Sequence, residues 1–401
     1  MWRSMIVGAM LALAGCASVP PPAAEAPAVW SWTRVEFNRE AITGAAAEGL
    51  ADPATGRRLT PDDPVRIASI SKLIVALGVL RLVERGTLDL ERDVSLYLGW
   101  RLRNPEHPDV VITLRRLLSH TSGLRDGDDI YVIPLGGSVR ATLANPEVWD
   151  ARERGFYFAY SNLNFPVIAS VVERATGERF DRVMAREVFA PLGLDACFNW
   201  TTCSDARLAR AVVLRDEHGA VVRDDLRGAR PPCAVVPDAN GGCELSGYAL
   251  GDNGALFSPQ GGARVSVEDL AAIGRVLLNR GVHEGRRFLS PQTVAYMTTP
   301  VWADDGSNGD SSNGYYCAYG LAVQIIGVGG CPDPFGDGRV RVGHTGDAYG
   351  VVSGLWVDPE AGTGVAYFAT GVSDNDRPRG RTPFLAVEEA MMAGSLLEIR
   401  R

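Results

Sequence analysis

One position stands apart among the basic residues of this 401-residue chain. Of the 40 basic residues, 39 are arginines, and the single lysine is Lys72, in the segment RIASISK. An arginine guanidinium stays protonated in essentially any protein, whereas a buried amine can lose its proton and act as a base. The retention of lysine at this one position therefore indicates a site that needs a titratable amine.

A serine lies three residues before this lysine. Apolar residues recur at helical spacing from Ser69 to Arg85, which predicts a helix beginning at the serine. Residues three apart share a helix face, so the amine of Lys72 can reach the hydroxyl of Ser69. A serine hydroxyl needs such a partner to become a nucleophile, and a helix N-terminus favours developing negative charge nearby. The spacing predicts a nucleophile and its base.

Two further motifs follow in the chain. FAYSNLNF contains Tyr160 and Asn162, and RVGHTGDAYG contains His344, Thr345 and Gly346. The order SxxK, YxN, HTG resembles that of the serine β-lactamase and penicillin-binding-protein superfamily, on the branch of class C β-lactamases, D,D-peptidases and related esterases. The likeness extends over about residues 35–395 and includes, in the family's order, RIASISKLIVALGVLRLVERGTLDL, LRRLLSHTSGL, YSNLNFPVIASVVERATG and VGHTGDAYGVVSGLWVDPEAG.

The resemblance implies a role for each catalytic position. Ser69 would form an acyl-enzyme, and Lys72 would accept its proton or hold the proton network. Tyr160 would carry a proton to the leaving group and activate the deacylating water. A phenol beside two cations can have a lowered pKa, so Tyr160 is physically reasonable as a base. Asn162 would hydrogen-bond Lys72 and the substrate amide.

The resemblance also implies substrate contacts. The backbone N–H groups of Ser69 and Asp347 would form an oxyanion hole. His344 and Thr345, followed by Gly346, would face the substrate and often its carboxylate. The carboxylate of Asp347 would reach the same rim.

The HTG motif departs from the family at its first residue. Dedicated β-lactamases and many peptidases of the family carry lysine where His344 stands. A histidine is neutral about half the time near its ordinary pKa, so it holds a carboxylate less firmly. This difference favours ester or peptide substrates over efficient β-lactam hydrolysis.

The sequence therefore predicts a serine hydrolase acting on an ester, a D-amino-acid peptide or a β-lactam amide. Esterase or peptidase activity is favoured, and a β-lactamase proper or a D,D-carboxypeptidase is the alternative. A hypothesis of another class is a penicillin-binding sensor lipoprotein that does not turn over. We expect a small-molecule or peptide substrate, no cofactor, no metal and no obligate protein partner. A net charge of −8 argues against nucleic-acid binding.

The elements that must position these residues fall into three regions. Alternating apolar residues after Trp30 and throughout the last third predict strands, and residues 95–250 are richer in helices and loops. Helices are predicted over residues 161–176, 179–189, 266–280 and 383–397. This order predicts an α+β domain over residues 30–397 with a helical insertion over about residues 95–250. The resemblance implies a β-lactamase/transpeptidase-like fold, in which helices flank an antiparallel sheet.

Two other polar segments receive non-catalytic interpretations. His120, in SHTSGL, is predicted to have a structural role in the turn before Gly123. Residues 304–314, DDGSNGDSSNG, lack the spacing of an EF-hand and are predicted to form a solvated loop. The chain contains no G-x-S-x-G, which argues against an α/β-hydrolase.

The N-terminus is typical of an exported protein. Residues 1–15 read as a signal peptide, and the end of this segment together with Cys16 resembles the lipobox of bacterial lipoproteins. Cleavage before Cys16 would leave a lipid-bearing cysteine on a Pro/Ala-rich tether over residues 16–29. Ala17 after the cysteine resembles outer-membrane lipoproteins. We therefore expect a lipid-anchored protein of the bacterial envelope that faces the periplasm.

Six further cysteines fit an oxidising compartment. No CxxC and no paired histidine spacing supports a zinc site. Local pairing is favoured among the 15 possible sets, because each pair brackets a Gly-, Pro- or Asp-rich loop. The predicted disulfides are Cys197–Cys203, Cys233–Cys243 and Cys317–Cys331.

Overall fold

The computed structural model describes residues 28–127, 130–152, 156–373, 379–395 and 397–400. The predicted signal peptide, Cys16 and all but the last two residues of the predicted tether lie outside these ranges. No helix within them is long and apolar enough to cross a membrane.

The strands fall into one large sheet and several small ones. They are β1 (Ala28–Val29), β2 (Ser31–Asn38), β3 (Ile42–Asp52), β4 (Arg57–Arg58), β5 (Val65–Arg66), β6 (Cys197–Phe198), β7 (Leu214–Arg215), β8 (Val221–Arg223), β9 (Ala263–Val265), β10 (Val282–His283), β11 (Arg286–Arg287), β12 (Trp302–Ala303), β13 (Ala318–Tyr319), β14 (Gln324–Ile326), β15 (Arg341–Ala348), β16 (Val351–Asp358), β17 (Thr363–Thr370) and β18 (Glu398–Ile399).

The helices lie mostly between the two strand-rich regions. They are α1 (Ile70–Glu84), α2 (Ser95–Leu98), α3 (Leu114–Leu118), α4 (Val139–Thr142), α5 (Asn164–Thr176), α6 (Phe180–Met184), α7 (Asp205–Leu208), α8 (Val267–Leu278), α9 (Pro291–Thr298) and α10 (Ala386–Ala393).

The large sheet joins the two ends of the chain. Its nine strands lie in the order β12-β13-β14-β15-β16-β17-β2-β3-β4, and neighbouring strands pair antiparallel. The N-terminal β2 therefore lies beside the C-terminal β17, with Thr33 opposite Phe368. The central strands β15, β16 and β17 each have eight residues, and β16 is buried throughout.

Helices cover both faces of this sheet. α1 and α8 contribute to a core shared with one face, through residues such as Leu77 and Ile273. α10 packs on the other face, where Met391 meets Trp356 and Tyr367. This is the predicted α+β arrangement of an antiparallel sheet flanked by helices.

The predicted helices are largely present, with shorter ends. α8 begins after Ser266, whose hydroxyl accepts from the N–H of Asp269 in a capping box. The segment 179–189 forms α6 and then a π-helical turn over Ala185–Phe189. Between residues 95 and 250 the helices alternate with long connections. A separate small sheet, in the order β5-β9-β6, joins β6 from this region to β5 and β9 on either side of it in the sequence.

The three predicted disulfides are confirmed. Cys197 is bonded to Cys203, Cys233 to Cys243, and Cys317 to Cys331. The last of these closes the β13–β14 hairpin, which stands beside the candidate site.

Candidate active site

A sharp turn presents Ser69 at the start of α1. Ala68 has a φ of 45°, in the left-handed region that side chains other than glycine seldom adopt. The turn carries the chain from β5 directly into the helix. Ser69 occupies the N-cap position, yet its side chain makes no capping hydrogen bond. Its hydroxyl is consequently available to another partner.

That partner is Lys72. Its Nζ lies 2.9 Å from Ser69 Oγ, 2.7 Å from Asn162 Oδ1 and 2.8 Å from the carbonyl oxygen of Gln260. The side chain is fully buried. Burial lowers the pKa of the Lys72 amine to about 7, and the charge of Asp126 opposes this shift.

The three contacts determine how a neutral amine would sit. The Asn162 and Gln260 oxygens can only accept hydrogen bonds, so they take the two N–H groups of a neutral Lys72. The nitrogen lone pair is then left facing Ser69, whose O–H can donate to it. The geometry is that of a general base next to a nucleophile.

Tyr160 lies on the other side of the serine. Its phenol is linked by side-chain hydrogen bonds to Ser69 and to Tyr316, and Lys72 Nζ lies 5.0 Å from its ring centroid. The expectation of a lowered pKa for this phenol is wrong. Burial raises the pKa of Tyr160, and the two hydrogen bonds only partly oppose this. Tyr160 is therefore protonated and suited to donate.

Tyr316, which was not predicted as a site residue, lies beside Tyr160. The ring of Tyr316 stacks on that of Tyr160 with centroids 4.8 Å apart and planes at 12°. Tyr316 and its neighbour Tyr315 line the cleft, together with Ser312 of the predicted solvated loop. Residues 304–314 are thus part of a segment that builds one wall of the cleft. A pair of tyrosines directly before Cys317 was the available signal.

The HTG motif lies on β15, close to the nucleophile. Thr345 lines the cleft, and its hydroxyl lies 2.7 Å from that of Tyr315. A Cβ at Gly346 would overlap the carbonyl oxygen of Ile67, two residues before Ser69. Only glycine lets β15 approach the turn this closely. Asp347 follows at the exposed end of the strand and also lines the cleft.

His344 does not face the substrate cleft, which corrects the expectation for this residue. Its side chain is 1% exposed, with Nδ1 at 2.5 Å from the carbonyl of Thr345 and Nε2 at 2.8 Å from the hydroxyl of Tyr319. Burial and the nearby Lys72 lower the pKa of His344 to about 3. The imidazole is therefore neutral, rather than half protonated as it would be near its ordinary pKa.

His120 packs against Tyr160 and Ser161, in agreement with its predicted structural role. Its Nδ1 accepts a hydrogen bond of 3.0 Å from the backbone N–H of Ser161. Its ring stacks on Tyr160 with centroids 4.4 Å apart. Burial lowers the pKa of His120 well below its ordinary value, so it contributes shape rather than charge.

An aspartate completes the arrangement. Asp126 was not recognised in the sequence, where it is one of several acidic residues in RDGDD. Its carboxylate accepts hydrogen bonds from the backbone N–H of Asn162 and from the Asn162 side-chain amide, both at 2.8 Å. It also accepts from Ser161 Oγ at 2.9 Å and from Leu163 N at 3.1 Å.

These groups open into a cleft of about 290 Å³. Ser69, Tyr160 and Asn162 line this cleft, and Arg379 and Glu388 line it from the C-terminal part of the chain. The structure thus brings together five predicted site residues, Ser69, Lys72, Tyr160, Asn162 and Thr345. His344 is buried and does not line the cleft. The arrangement can activate a serine hydroxyl and protonate a leaving group.

The chain matches one family model and is similar to several known proteins. A family model described as Beta-lactamase matches residues 31–389. The chain is 36% identical over 169 residues to Esterase EstB of Burkholderia gladioli, which covers 38% of this chain and 42% of the esterase. It is 29% identical over 160 residues to the D-alanyl-D-alanine-carboxypeptidase/endopeptidase AmpH of Escherichia coli, covering 36% and 39% of the two chains.

Both alignments span less than half of the relative's own length. The structure is also similar to that of a class C beta lactamase from Rhodobacter sphaeroides, with a TM-score of 0.64 and 18% identity over 91% of this chain and 93% of that chain. At this identity the likeness concerns the fold.

Proposed function

The chain belongs to the β-lactamase family, and from this premise we propose that it is a serine hydrolase that forms an acyl-enzyme at Ser69. The observation that carries the proposal is the 2.9 Å contact between Ser69 Oγ and the buried amine of Lys72. An amine with a pKa of about 7 is substantially neutral at physiological pH and can take the serine proton.

In the acylation step the Ser69 oxygen attacks the substrate carbonyl carbon while its proton moves to Lys72. The carbonyl oxygen gains charge that the backbone N–H groups of Ser69 and Asp347 would stabilise. The bond to the leaving group then breaks, and the Tyr160 phenol donates the proton that this group needs. The Lys72 ammonium restores the proton of Tyr160, which leaves the base neutral again.

In deacylation a water molecule attacks the ester formed on Ser69. The neutral Lys72 amine accepts a proton from this water, and the protonated Tyr160 phenol, which is hydrogen-bonded to Ser69, donates the proton that the departing serine oxygen needs. The Ser69 oxygen leaves with a proton, the acid is released and the site is regenerated. The raised pKa of Tyr160 favours Lys72 as the base in both steps.

We propose an ester as the preferred substrate, above a D-amino-acid peptide or a β-lactam. The position where lysine serves dedicated β-lactamases holds a neutral, inward-facing histidine. Among the described residues that line the cleft, Arg379 is the single basic residue, whereas Asp347 and Glu388 are acidic. This balance gives little attraction for an anionic penicillin. Similarity to the Burkholderia gladioli esterase supports the same ranking.

The test uses the domain from residue 28 onward, wild type and Ser69→Ala, with a p-nitrophenyl ester and a penicillin. Product release and intact mass are followed together. Ester turnover with slow or absent penicilloylation, in wild type only, is the expected result. Rapid penicillin turnover would identify a β-lactamase. A stable penicilloyl adduct without turnover of either compound would identify the sensor. Equal behaviour of wild type and Ser69→Ala would refute the assignment of Ser69 as the nucleophile.

We also propose export and a lipid anchor at Cys16, which would place the domain in the periplasm. Three disulfides support this location, because such bonds persist in oxidising compartments. Full-length protein in a bacterial host should fractionate with membranes, and Cys16→Ser should release it. Equal fractionation of both proteins would contradict the anchor.

A further inference from the structure

The Asp126 carboxylate is held by four hydrogen-bond donors from the turn that enters α5. Three belong to two consecutive residues: Ser161 Oγ at 2.9 Å and the backbone and side-chain N–H groups of Asn162 at 2.8 Å. The fourth is the backbone N–H of Leu163 at 3.1 Å. Asp126 does not line the cleft. Its position is explained by these four hydrogen bonds rather than by contact with a substrate.

These contacts determine which way the Asn162 amide points. A carboxylate can only accept hydrogen bonds, so the Asn162 NH₂ group must face Asp126 and the Asn162 carbonyl oxygen must face away. That oxygen lies 2.7 Å from Lys72 Nζ and accepts one of its N–H groups. Asp126 is therefore linked to the Lys72 amine through one intervening side chain, that of Asn162.

Asp126 also supplies the anionic charge near the amine. Tyr160, His120 and His344 also lie near Lys72, and burial keeps all three neutral. The charge of Asp126 favours the protonated amine and opposes its desolvation.

We propose that Asp126 is a positioning residue that orients Asn162 and sets the proton affinity of Lys72. The inference rests on the proposed serine hydrolase function and assigns it a residue that does not touch the substrate. Two effects follow from removing the charge. The amine becomes less basic, and the Asn162 amide loses the contact that fixes its orientation.

The test is Asp126→Asn, which keeps the size of the side chain and removes its charge. The rate of Ser69 labelling by a fluorophosphonate ester is measured from pH 5 to 9, by intact mass. We expect the maximal rate to fall about 10- to 100-fold, because a misplaced base is inefficient. We also expect the acidic limb of the profile to move to lower pH by about one unit, because Lys72 loses a nearby opposite charge.

Asp333→Asn is the matched control. Asp333 also accepts three backbone hydrogen bonds within a turn, from Phe335, Gly336 and Gly338, but it does not line the cleft. Its substitution should leave both the rate and the limb at their wild-type values.

An unchanged rate in Asp126→Asn would overturn the inference, and so would a reduced rate with an unmoved acidic limb, which indicates a structural role alone. If this variant fails to fold, Asp126→Ser replaces it, because a serine hydroxyl can still accept from the backbone N–H groups. The same shift is then expected. Ser69→Ala is run alongside: labelling that persists in it would refute the hydrolase proposal itself, independently of Asp126.

Discussion

Tyr319 donates a hydrogen bond of 2.8 Å to Nε2 of His344. The direction follows from the opposite side of the ring, where Nδ1 faces the carbonyl oxygen of Thr345 and must therefore carry the proton. A histidine held in this tautomer between two fixed partners is neutral and turned away from the cleft. The first position of the HTG motif thus contributes no charge to substrate binding.

The pH profile should therefore have a single acidic limb, which belongs to Lys72. Its pKa is lowered to about 7, so protonation below that pH removes the base and kcat/KM should fall about tenfold per pH unit. Above pH 7 the amine is neutral and activity should be retained until another group titrates. The measurement is p-nitrophenyl ester hydrolysis from pH 5 to 9.

His344→Gln is the control for this assignment. The pKa of His344 is lowered to about 3, so the imidazole does not titrate in the range of the experiment. The midpoint of the limb should stay near 7 in the variant, whatever its absolute rate. Loss of the limb in His344→Gln would assign it to histidine instead.

Lys72→Arg should strongly reduce turnover while preserving positive charge. A guanidinium cannot be deprotonated in a protein, so the serine loses its base. We expect kcat to fall about 10²- to 10⁴-fold, the usual contribution of a general base. Arg85→Lys is the reciprocal exchange at the end of the same helix, where Arg85 pairs with Glu187, and should keep wild-type activity. Substantial activity in Lys72→Arg would mean that Tyr160 is the base.

Sequence patterns predicted the parts of the site that depend on local spacing. Ser69 and Lys72 share one helical turn, and the three local disulfides follow from loops within the chain. The features of the site that were not predicted depend on tertiary packing. The pKa of Tyr160 rises because of burial, and Asp126 reaches Asn162 across 36 positions of sequence. Neither effect leaves a local pattern that could be read from the chain.

In the fold, too, local features were predicted from the sequence and long-range features were not. The helix that begins at Ser69 and the helix capped by Ser266 were predicted because periodicity and caps are local. The pairing of β2 with β17 joins residues more than 300 positions apart, and nothing in either strand specifies that partner. The inward direction of His344 likewise depends on which face of β15 meets Tyr319.

Tyr316→Phe should slow the chemical step without weakening binding. The substitution keeps the ring stacked on Tyr160 and removes the hydroxyl that bonds to the Tyr160 phenol. We expect kcat to fall about tenfold with little change in KM, since the lost interaction acts on proton transfer. Tyr296→Phe, on the exposed face of α9, is the control and should match wild type. A change confined to KM would instead place Tyr316 in substrate binding.

Removing the Cys317–Cys331 disulfide should impair activity as well as stability. This bond closes a segment of about 15 residues, and its loss in a Cys317→Ser/Cys331→Ser variant should lower the free energy of unfolding by about 3 kcal/mol. Activity should fall further than stability alone explains, because the bonded segment directly follows Tyr315 and Tyr316 in the cleft wall.

The Cys233→Ser/Cys243→Ser variant is the comparison, since it removes a bridge of similar span that does not border the cleft. Melting temperature should fall in both variants, and kcat at 25 °C only in the first. Equal kcat in the two variants would show that the cleft wall keeps its shape without the bond.

Gly346→Ala should disturb the contact between β15 and the turn that carries the nucleophile. A methyl group at this position would overlap the carbonyl oxygen of Ile67 and the hydroxyl of Ser353, so one of these elements must move. Overpacking of this kind costs about 1–3 kcal/mol. Because Ile67 lies two residues before Ser69, movement of Ile67 should displace the nucleophile. We therefore also expect kcat to fall about 100-fold, since small displacements of a reacting group reduce the rate by about this factor. Gly247→Ala is the matched control, since a Cβ there meets no atom within 4 Å and the residue is exposed. Ester hydrolysis and a thermal melt are measured for both variants. Wild-type kcat in Gly346→Ala would show that the turn tolerates movement of β15 and that the strand does not fix the position of the serine.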